Sequence, residues 1–121
     1  MLNPIIKNLV EEKAIVNVQF KSYLSQQRLQ KISSNYMDTM ANVEGLIKKY
    51  YYINTETKTI GGTYLFDDIK LARDYIRYFL VKGIGLKYGI IPDTLKMQTG
   101  IIQMEIEGKN TKYRSENKNS D

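Results

Sequence analysis

The chain has 121 residues, of which 42% are hydrophobic and 26% charged, a balance typical of one folded domain. It contains no cysteine and no histidine, which excludes disulfides, thiolate metal sites, histidine-ligated haem and the Ser-His-Asp and Cys-His catalytic arrangements. The net charge is +5, and residues 108–121 contribute four basic and two acidic side chains to it, so the remaining excess is weak and favours solubility over nucleic-acid binding.

Three regions differ in composition. Residues 1–13 look like an N-terminal extension, residues 14–107 contain the alternating apolar patterns of a folded domain, and residues 108–121 form a polar tail for which we expect disorder. No window resembles an export signal or approaches the roughly 20 apolar residues of a membrane span. We therefore expect a cytoplasmic protein that does not associate with membranes.

The first half of the domain predicts a strand, a helix and a second strand. In the strand over 14–21, Val16, Val18 and Phe20 share one face. Ser25 offers an N-cap for a helix whose apolar residues recur every three or four positions. These residues are Leu29, Ile32, Tyr36, Met40 and Val43. Gly45 is placed to end the connection into a β-favouring run over 46–54.

The second half predicts two more strands around a second helix. After a polar hairpin over 54–58, a third strand runs over 59–66, where the pair Gly61-Gly62 allows a bulge or a close approach by another group. Asp67 or Asp68 can cap the second helix, which we expect to end at Lys82 and Gly83. Its apolar stripe consists of Ile69, Ala72, Ile76, Phe79 and Leu80.

A loop through Gly85, Gly89 and Pro92 leads to a last strand between Leu95 and Ile106, in which a break at Gly100 suggests a bulge or an edge contact. The element order predicts an α+β, ferredoxin-like βαββαβ fold, with a four-stranded antiparallel sheet and two helices on one face. Tyr50 and Tyr52 lie on one side of the second strand, and Tyr51 and Ile53 on the other. The uncovered sheet face is therefore apolar, and self-association is the simplest way to bury it.

Other functional classes meet specific objections. An RNA-recognition module would need aromatic side chains at the positions that Gly61 and Thr63 occupy in the third strand, so we expect no nucleic-acid partner. The glycines over 83–89 do not have the spacing of a phosphate-binding loop. The carboxylates have no convincing metal-ligand spacing, so we expect no metal. Ten tyrosines without a tryptophan favour core, interface or pocket positions.

Two segments, 45–54 and 61–67, together with Ala72 and Tyr75, resemble the YdhR-like monooxygenase family of the dimeric α/β-barrel superfamily. In that family the second strand starts with a glycine and carries a lysine, the third carries Gly-Gly-x-Tyr-Leu-Phe, and the second helix follows with Ala-x-x-Tyr. The matching positions here are Gly45, Lys49, Gly61, Gly62, Tyr64, Leu65, Phe66, Ala72 and Tyr75. The family's second strand also carries two tryptophans, where this chain has Lys48 and Tyr51.

The resemblance implies a homodimer whose two sheets face each other, with a pocket in each subunit between sheet and helices. It also implies oxidation of a small aromatic or polyketide-like compound without cofactor, in which the deprotonated substrate reduces O₂ directly. Tyr64 and Tyr51 are then the catalytic candidates, which would position or deprotonate a phenolic group. Asn17 and Lys48 are the candidates for binding the substrate, with the Asn17 amide donating to an enolate oxygen.

Alternatives remain at each of these points. Asn17 could instead face solvent or the dimer partner, and Tyr64 could simply pack beneath the second helix. Loss of the tryptophan pair favours a different class of protein, a non-enzymatic homodimer that binds a small apolar ligand.

Overall fold

Four antiparallel strands form one sheet in the order β2-β3-β1-β4. The structure is a computed structural model, which describes residues 12–81 and 84–112. The strands are β1 (Ala14–Phe20), β2 (Leu46–Asn54), β3 (Thr59–Phe66) and β4 (Lys96–Ile101). The helices are α1 (Gln26–Asn35), α2 (Met37–Ala41), α3 (Ile69–Val81) and α4 (Ile84–Lys87), and a 3₁₀ turn covers Pro92–Thr94. The predicted ferredoxin-like fold is confirmed, and β2 and β3 have the predicted bounds.

The alternation of β1 decides which sheet face the helices cover. Ala14, Val16, Val18 and Phe20 are buried, whereas the residues between them are partly exposed. Across the sheet, Val16 lies opposite Tyr64 in β3. Paired residues of neighbouring strands point to the same side of the sheet, so Tyr64 in β3 lies on the same buried face as Val16 in β1. We call the face beneath the helices the inner face, and the opposite one the outer face.

A β-bulge interrupts the pairing of β2 with β3. Leu46 lies opposite Phe66, but the next aligned pair is Lys48 with Leu65, so one extra residue is accommodated in β2. From there the register is regular to Asn54, which lies opposite Thr59. The bulge lets Leu46 lie opposite the buried Phe66, although an even alternation counted from the hairpin would turn Leu46 outward.

Local signals in the sequence determine where α1, α3 and β2 begin. The Ser25 hydroxyl accepts a hydrogen bond from the Arg28 amide at 3.2 Å, as predicted for the N-cap of α1. At the start of α3, the Asp68 carboxylate accepts from the Lys70 amide at 2.8 Å. Gly45 has φ +81°, and a Cβ there would lie 2.5 Å from Leu71 Cδ1. This position requires glycine because both its backbone angle and its surroundings exclude a side chain.

Three predicted features differ from the structure. The single helix expected up to Val43 is split at Tyr36, whose amide donates to the Ser33 carbonyl at 3.1 Å and so ends α1 early. The loop expected through Gly85 contains α4. The last strand ends at Ile101, and its register through Gly100 is continuous, without the suggested bulge. Since β1 begins at Ala14, its neighbour β4 has no further partner strand in the described part of the chain.

The predictions for residues 1–11, Lys82, Gly83 and 113–121 lie outside the described residues. Within the described ones, the core fills the space between the inner face and the helices. Aromatic rings form its centre, with the Tyr64 and Tyr75 centroids 5.1 Å apart and those of Phe66 and Tyr75 5.9 Å apart. This cluster joins α3 to the sheet, and its two tyrosines, Tyr64 and Tyr75, also border a cavity between the sheet and the helices.

Candidate functional site

A cavity of about 700 Å³ lies between the inner face of the sheet and the helices. Lys49, Tyr51, Gly62 and Tyr64 line it from β2 and β3. The helices and the segment after α4 contribute Leu29, Ser33, Tyr36, Met40, Tyr75, Tyr78, Phe79, Lys87 and Tyr88. The lining is mostly apolar and aromatic, and it contains no acidic side chain. Such a cavity suits a flat, apolar molecule with a few polar groups.

Lys49 places its amino group against two rings of the cavity. Its Nζ lies 3.9 Å from the centre of the Tyr51 ring and 4.4 Å from that of Tyr64. The described residues give Lys49 no carboxylate partner, since their two ion pairs are Lys13–Glu105 and Asp74–Arg77. Burial without a counter-charge disfavours the ammonium form and lowers the pKa of Lys49 to about 7. At neutral pH a substantial share of the amino groups is therefore uncharged.

Burial has the opposite effect on the pKa values of the two predicted catalytic tyrosines, Tyr64 and Tyr51, which it raises. Tyr64 is 3% exposed, and burial, followed by the neighbouring Tyr75, raises the pKa of its phenol well above the ordinary value. Burial, followed by Tyr88, also raises the pKa of Tyr51. Both phenols keep their protons at neutral pH, so each can donate a hydrogen bond to a ligand but is a poor base.

The remaining tyrosines of the cavity are held by neighbouring elements. The Tyr75 hydroxyl donates to the sulfur of Met40 at 3.4 Å, which connects α3 to α2. Tyr88 is buried, and its carbonyl accepts from the Ser22 hydroxyl at 2.5 Å. At the edge of the cavity the exposed Lys87 amine donates to the Tyr36 hydroxyl, and this hydrogen bond raises the pKa of Lys87. Lys87 therefore remains a cation at neutral pH.

The structure brings together only part of the predicted site. Tyr64 and Tyr51 line the cavity, whereas Asn17 and Lys48 lie on the outer face. The Asn17 side-chain oxygen accepts from the Thr63 hydroxyl at 3.0 Å. Lys48 lies opposite Leu65, on the side of β2 away from the cavity. Strand alternation separates Lys48 from Tyr51, so a single cavity on one sheet face cannot use both.

Sequence reasoning assigned no role to Lys49, Tyr75 or Tyr88, all three of which line the cavity. Lys49 and Tyr75 occupy positions that match the family's sequence pattern. The signal for Lys49 is present in the sequence, because Lys49 lies two residues from Tyr51 in β2 and therefore on the same face of the strand. Tyr88 had no local signal, since its position depends on how the chain after α3 returns to the residues that follow β1.

Residues 12–81 and 84–112 bring no three acidic side chains together as a metal site would require. The absence of a cofactor stays a prediction. In the same residues no helix is both long and apolar enough to cross a bilayer. The cytoplasmic location also stays a prediction.

The sheet order, the helices on one face and the cavity between them define a ferredoxin-like protein with a ligand-sized site. Residues 15–90, more than half of the chain, match the family model described as "Putative mono-oxygenase ydhR". The chain therefore belongs to this family, as the resemblance in β2, β3 and α3 predicted. Comparison with curated protein sequences finds no match.

Solved structures similar to this chain include proteins with and without a described activity. A dimeric ferredoxin-like protein from an uncultured marine organism is 13% identical, with a TM-score of 0.60 over 86% of this chain and 99% of that one. The monooxygenase from the gene ActVA-Orf6 of Streptomyces coelicolor, solved with nanaomycin D, is 12% identical, with a TM-score of 0.58 over 82% and 95%. SnoaB, a cofactor-independent oxygenase from Streptomyces nogalater, is 9% identical, with a TM-score of 0.54 over 79% and 96%. At these identities the likeness establishes the fold.

Proposed function

We propose that the protein is a cofactor-independent monooxygenase that oxidises a small aromatic or polyketide-like compound in the cavity. The observation that carries the proposal is the cavity itself, in which the hydroxyls of Tyr51 and Tyr64 border an otherwise largely apolar space. Membership of the family supports it. So do two proteins of the same fold, the cofactor-independent oxygenase SnoaB and the monooxygenase solved with nanaomycin D.

The proposed reaction uses O₂ as oxidant and the substrate as reductant. A CH₂ group beside an aromatic ring loses a proton, and the resulting carbanion transfers electrons to O₂. One oxygen atom forms the new C=O bond and the other leaves as water, so CH₂ and O₂ become C=O and H₂O. Tyr64 and Tyr51 donate hydrogen bonds to the substrate oxygen, where negative charge develops. Their role is to position and stabilise the anion.

The proposal includes a homodimer formed through the outer face. Ile15 is 41% exposed there, and Tyr50 is also exposed. Apolar side chains on one sheet face are stabilised when a second sheet covers them. The marine ferredoxin-like protein is described as dimeric, which supports this arrangement. Asn17 and Lys48 would then lie at the dimer interface, and any role in binding the substrate would require the partner subunit.

Oxygen uptake by the purified protein tests the function. We expect uptake above the uncatalysed rate with at least one member of a panel of anthrones and hydroquinones. Tyr64→Phe and Tyr51→Phe should each lower kcat by about tenfold or more, because each loses a donor to the developing anion. A matched control is Tyr23→Phe, an exposed tyrosine that does not line the cavity.

A second candidate function is non-enzymatic binding of a small apolar ligand. Lys48 and Tyr51 in place of the family's tryptophan pair favour it. A binder would gain thermal stability with the same compounds but consume no O₂. Stabilisation without uptake across the panel would therefore replace the oxygenase proposal with this one.

A further inference from the structure

We propose that Lys49 is the general base of the cavity and that the substrate is a phenol or enol, which binds as its anion beside the Lys49 amine. This inference rests on the proposed function, and it adds the residue that takes the substrate proton.

The position of the amine is the first argument. Lys49 extends from the edge strand β2 into the cavity, and its side chain runs across Gly62 of the neighbouring β3, where a Cβ would lie 3.4 Å from Lys49 Cε. Its Nζ lies within 4.4 Å of the ring centres of Tyr51 and Tyr64. An aromatic ligand in the cavity therefore meets an amine and two phenols on the same side of the site.

The charges around the amine are the second argument. Lys49 contacts the rings of Tyr51 and Tyr64, and the other titratable side chains that line the cavity are further tyrosines and Lys87. Burial raises the pKa of Tyr51, Tyr64 and Tyr75, so these three phenols are neutral at pH 7. Lys87 is a further cation at the edge of the cavity. Because no carboxylate lines the cavity, the ammonium form of Lys49 has no counter-ion until a ligand brings one. An anionic ligand supplies it.

The third argument is the distribution of protons. With their raised pKa values, Tyr51 and Tyr64 hold their protons, whereas the lowered pKa of Lys49 leaves a lone pair on Nζ at neutral pH. The substrate O–H transfers its proton to this lone pair, and the ammonium then donates to the oxygen of the anion. The anion then forms a C–O bond to O₂ at a carbon that carries one hydrogen. As the O–O bond breaks, the proton of this C–H group and the proton held by the ammonium pass to the oxygen atom that leaves as water. The amine is regenerated, and the overall reaction converts C–H, O–H and O₂ to two C=O groups and H₂O. For an enol, this equals the conversion of CH₂ and O₂ to C=O and H₂O counted from its keto tautomer.

Binding of 4-nitrophenol tests the inference without turnover, because the absorption of this probe reports its ionisation. We expect the wild-type protein to move the ionisation of the bound phenol to lower pH by about one pH unit or more. Lys49→Met should abolish this change but still bind the methyl ether 4-nitroanisole, which shows that the cavity is intact. Lys70→Met, at an exposed position of α3, should behave like the wild type.

Lys49→Arg separates charge from proton transfer. The guanidinium is always protonated, so this variant should bind the phenolate but lose O₂ uptake by about a hundredfold, because it cannot accept a proton. Retained ionisation of the probe in Lys49→Met would overturn the inference. So would a wild-type protein that binds the ether alone, or neither compound.

The two proposals fail in different ways. If Lys49→Met consumes O₂ as fast as the wild type, the oxygenase function stands and the assignment of the base is wrong. If no member of the panel supports O₂ uptake although the wild type ionises the probe, the oxygenase function is wrong and the anion site is supported.

Discussion

The ring of Tyr52 lies directly over Gly61, its partner across the β2–β3 pair. A Cβ on Gly61 would lie 2.1 Å from Cζ of this ring. The Tyr52 hydroxyl accepts a hydrogen bond from the Gln19 amide at 2.8 Å, so the tyrosine also connects β2 to β1 across the outer face. This is the close approach that the paired glycines of β3 predicted, and it covers a position where glycine weakens a strand.

The first prediction concerns this contact. Gly61→Ala should push the Tyr52 ring aside, break its hydrogen bond to Gln19 and lower the free energy of unfolding by about 1–2 kcal/mol. Urea unfolding measures the effect, and a double-mutant cycle with Tyr52→Ala checks its cause. In the Tyr52→Ala background the same glycine substitution should cost little, since the steric conflict is gone. Equal costs in both backgrounds would contradict the predicted coupling.

The second prediction is the pH dependence of turnover. Because Lys49 must be uncharged to take the substrate proton, kcat/KM should rise with pH through the Lys49 pKa of about 7. It should fall again where the free substrate ionises, since the neutral amine and the neutral phenol must meet. In Lys49→Met the rise through pH 7 should disappear. A wild-type profile that is flat between pH 6 and pH 8 (roughly one unit on either side of that pKa) would exclude Lys49 as the base.

The third prediction is the pH dependence of stability. The Lys49 pKa falls from its ordinary value of 10.5 to about 7 on folding, so between these values the unfolded chain binds more protons than the folded one. Stability therefore rises with pH across this window, and below about pH 7 the full cost of burying the charge applies. Lys49→Met removes that cost. It should stabilise the protein by about 2 kcal/mol below pH 7, with a gain that shrinks towards pH 10.

Urea unfolding of the free protein at several pH values measures this gain. Lys70→Met is the matched control, because the exposed Lys70 should show no such pH-dependent difference from the wild type. A loss of stability in Lys49→Met below pH 7 would mean that the lysine has a partner that offsets its burial.

The fourth prediction concerns the outer face. Ile15→Glu places a charge at the centre of the proposed sheet-to-sheet interface and should convert the homodimer to a monomer. Light scattering with size-exclusion chromatography measures the mass. Glu12→Gln, which changes a charge before β1, provides a control. A wild-type protein that is monomeric at high concentration would contradict the proposed dimer.

Much of the fold could be predicted from the sequence because residues within or next to each helix and strand determine its bounds. Ser25 caps α1 through its own hydroxyl, and β2 and β3 have the predicted bounds because β-favouring residues stop at a polar hairpin. No local signal predicts that β4 ends at Ile101. A strand continues only while a neighbour supplies hydrogen bonds, and among the described residues the pairing of β4 with β1 ends at Ala14 and Ile101.

The spacing of the residues in the sequence is enough to place Tyr51 on the same face of β2 as Lys49 and on the opposite face from Lys48, because side chains alternate along a strand. It did not determine which of the two faces lies under the helices. Counted from the hairpin, where Asn54 lies opposite Thr59, Lys49 pairs with the buried Tyr64. If the pairs are counted instead from Leu46 and Phe66, Lys48 would lie opposite Tyr64 and would point into the cavity.

The bulge between Leu46 and Lys48 reconciles the two counts, and only the tertiary structure contains it. Through it Leu46 packs against the core, and β2 accepts one irregular pair. The extra residue keeps both Leu46 and Lys49 on the inner face. The long-range pairing of two strands thus decided which of two adjacent lysines enters the cavity, and a one-residue change in that pairing would place the other one there.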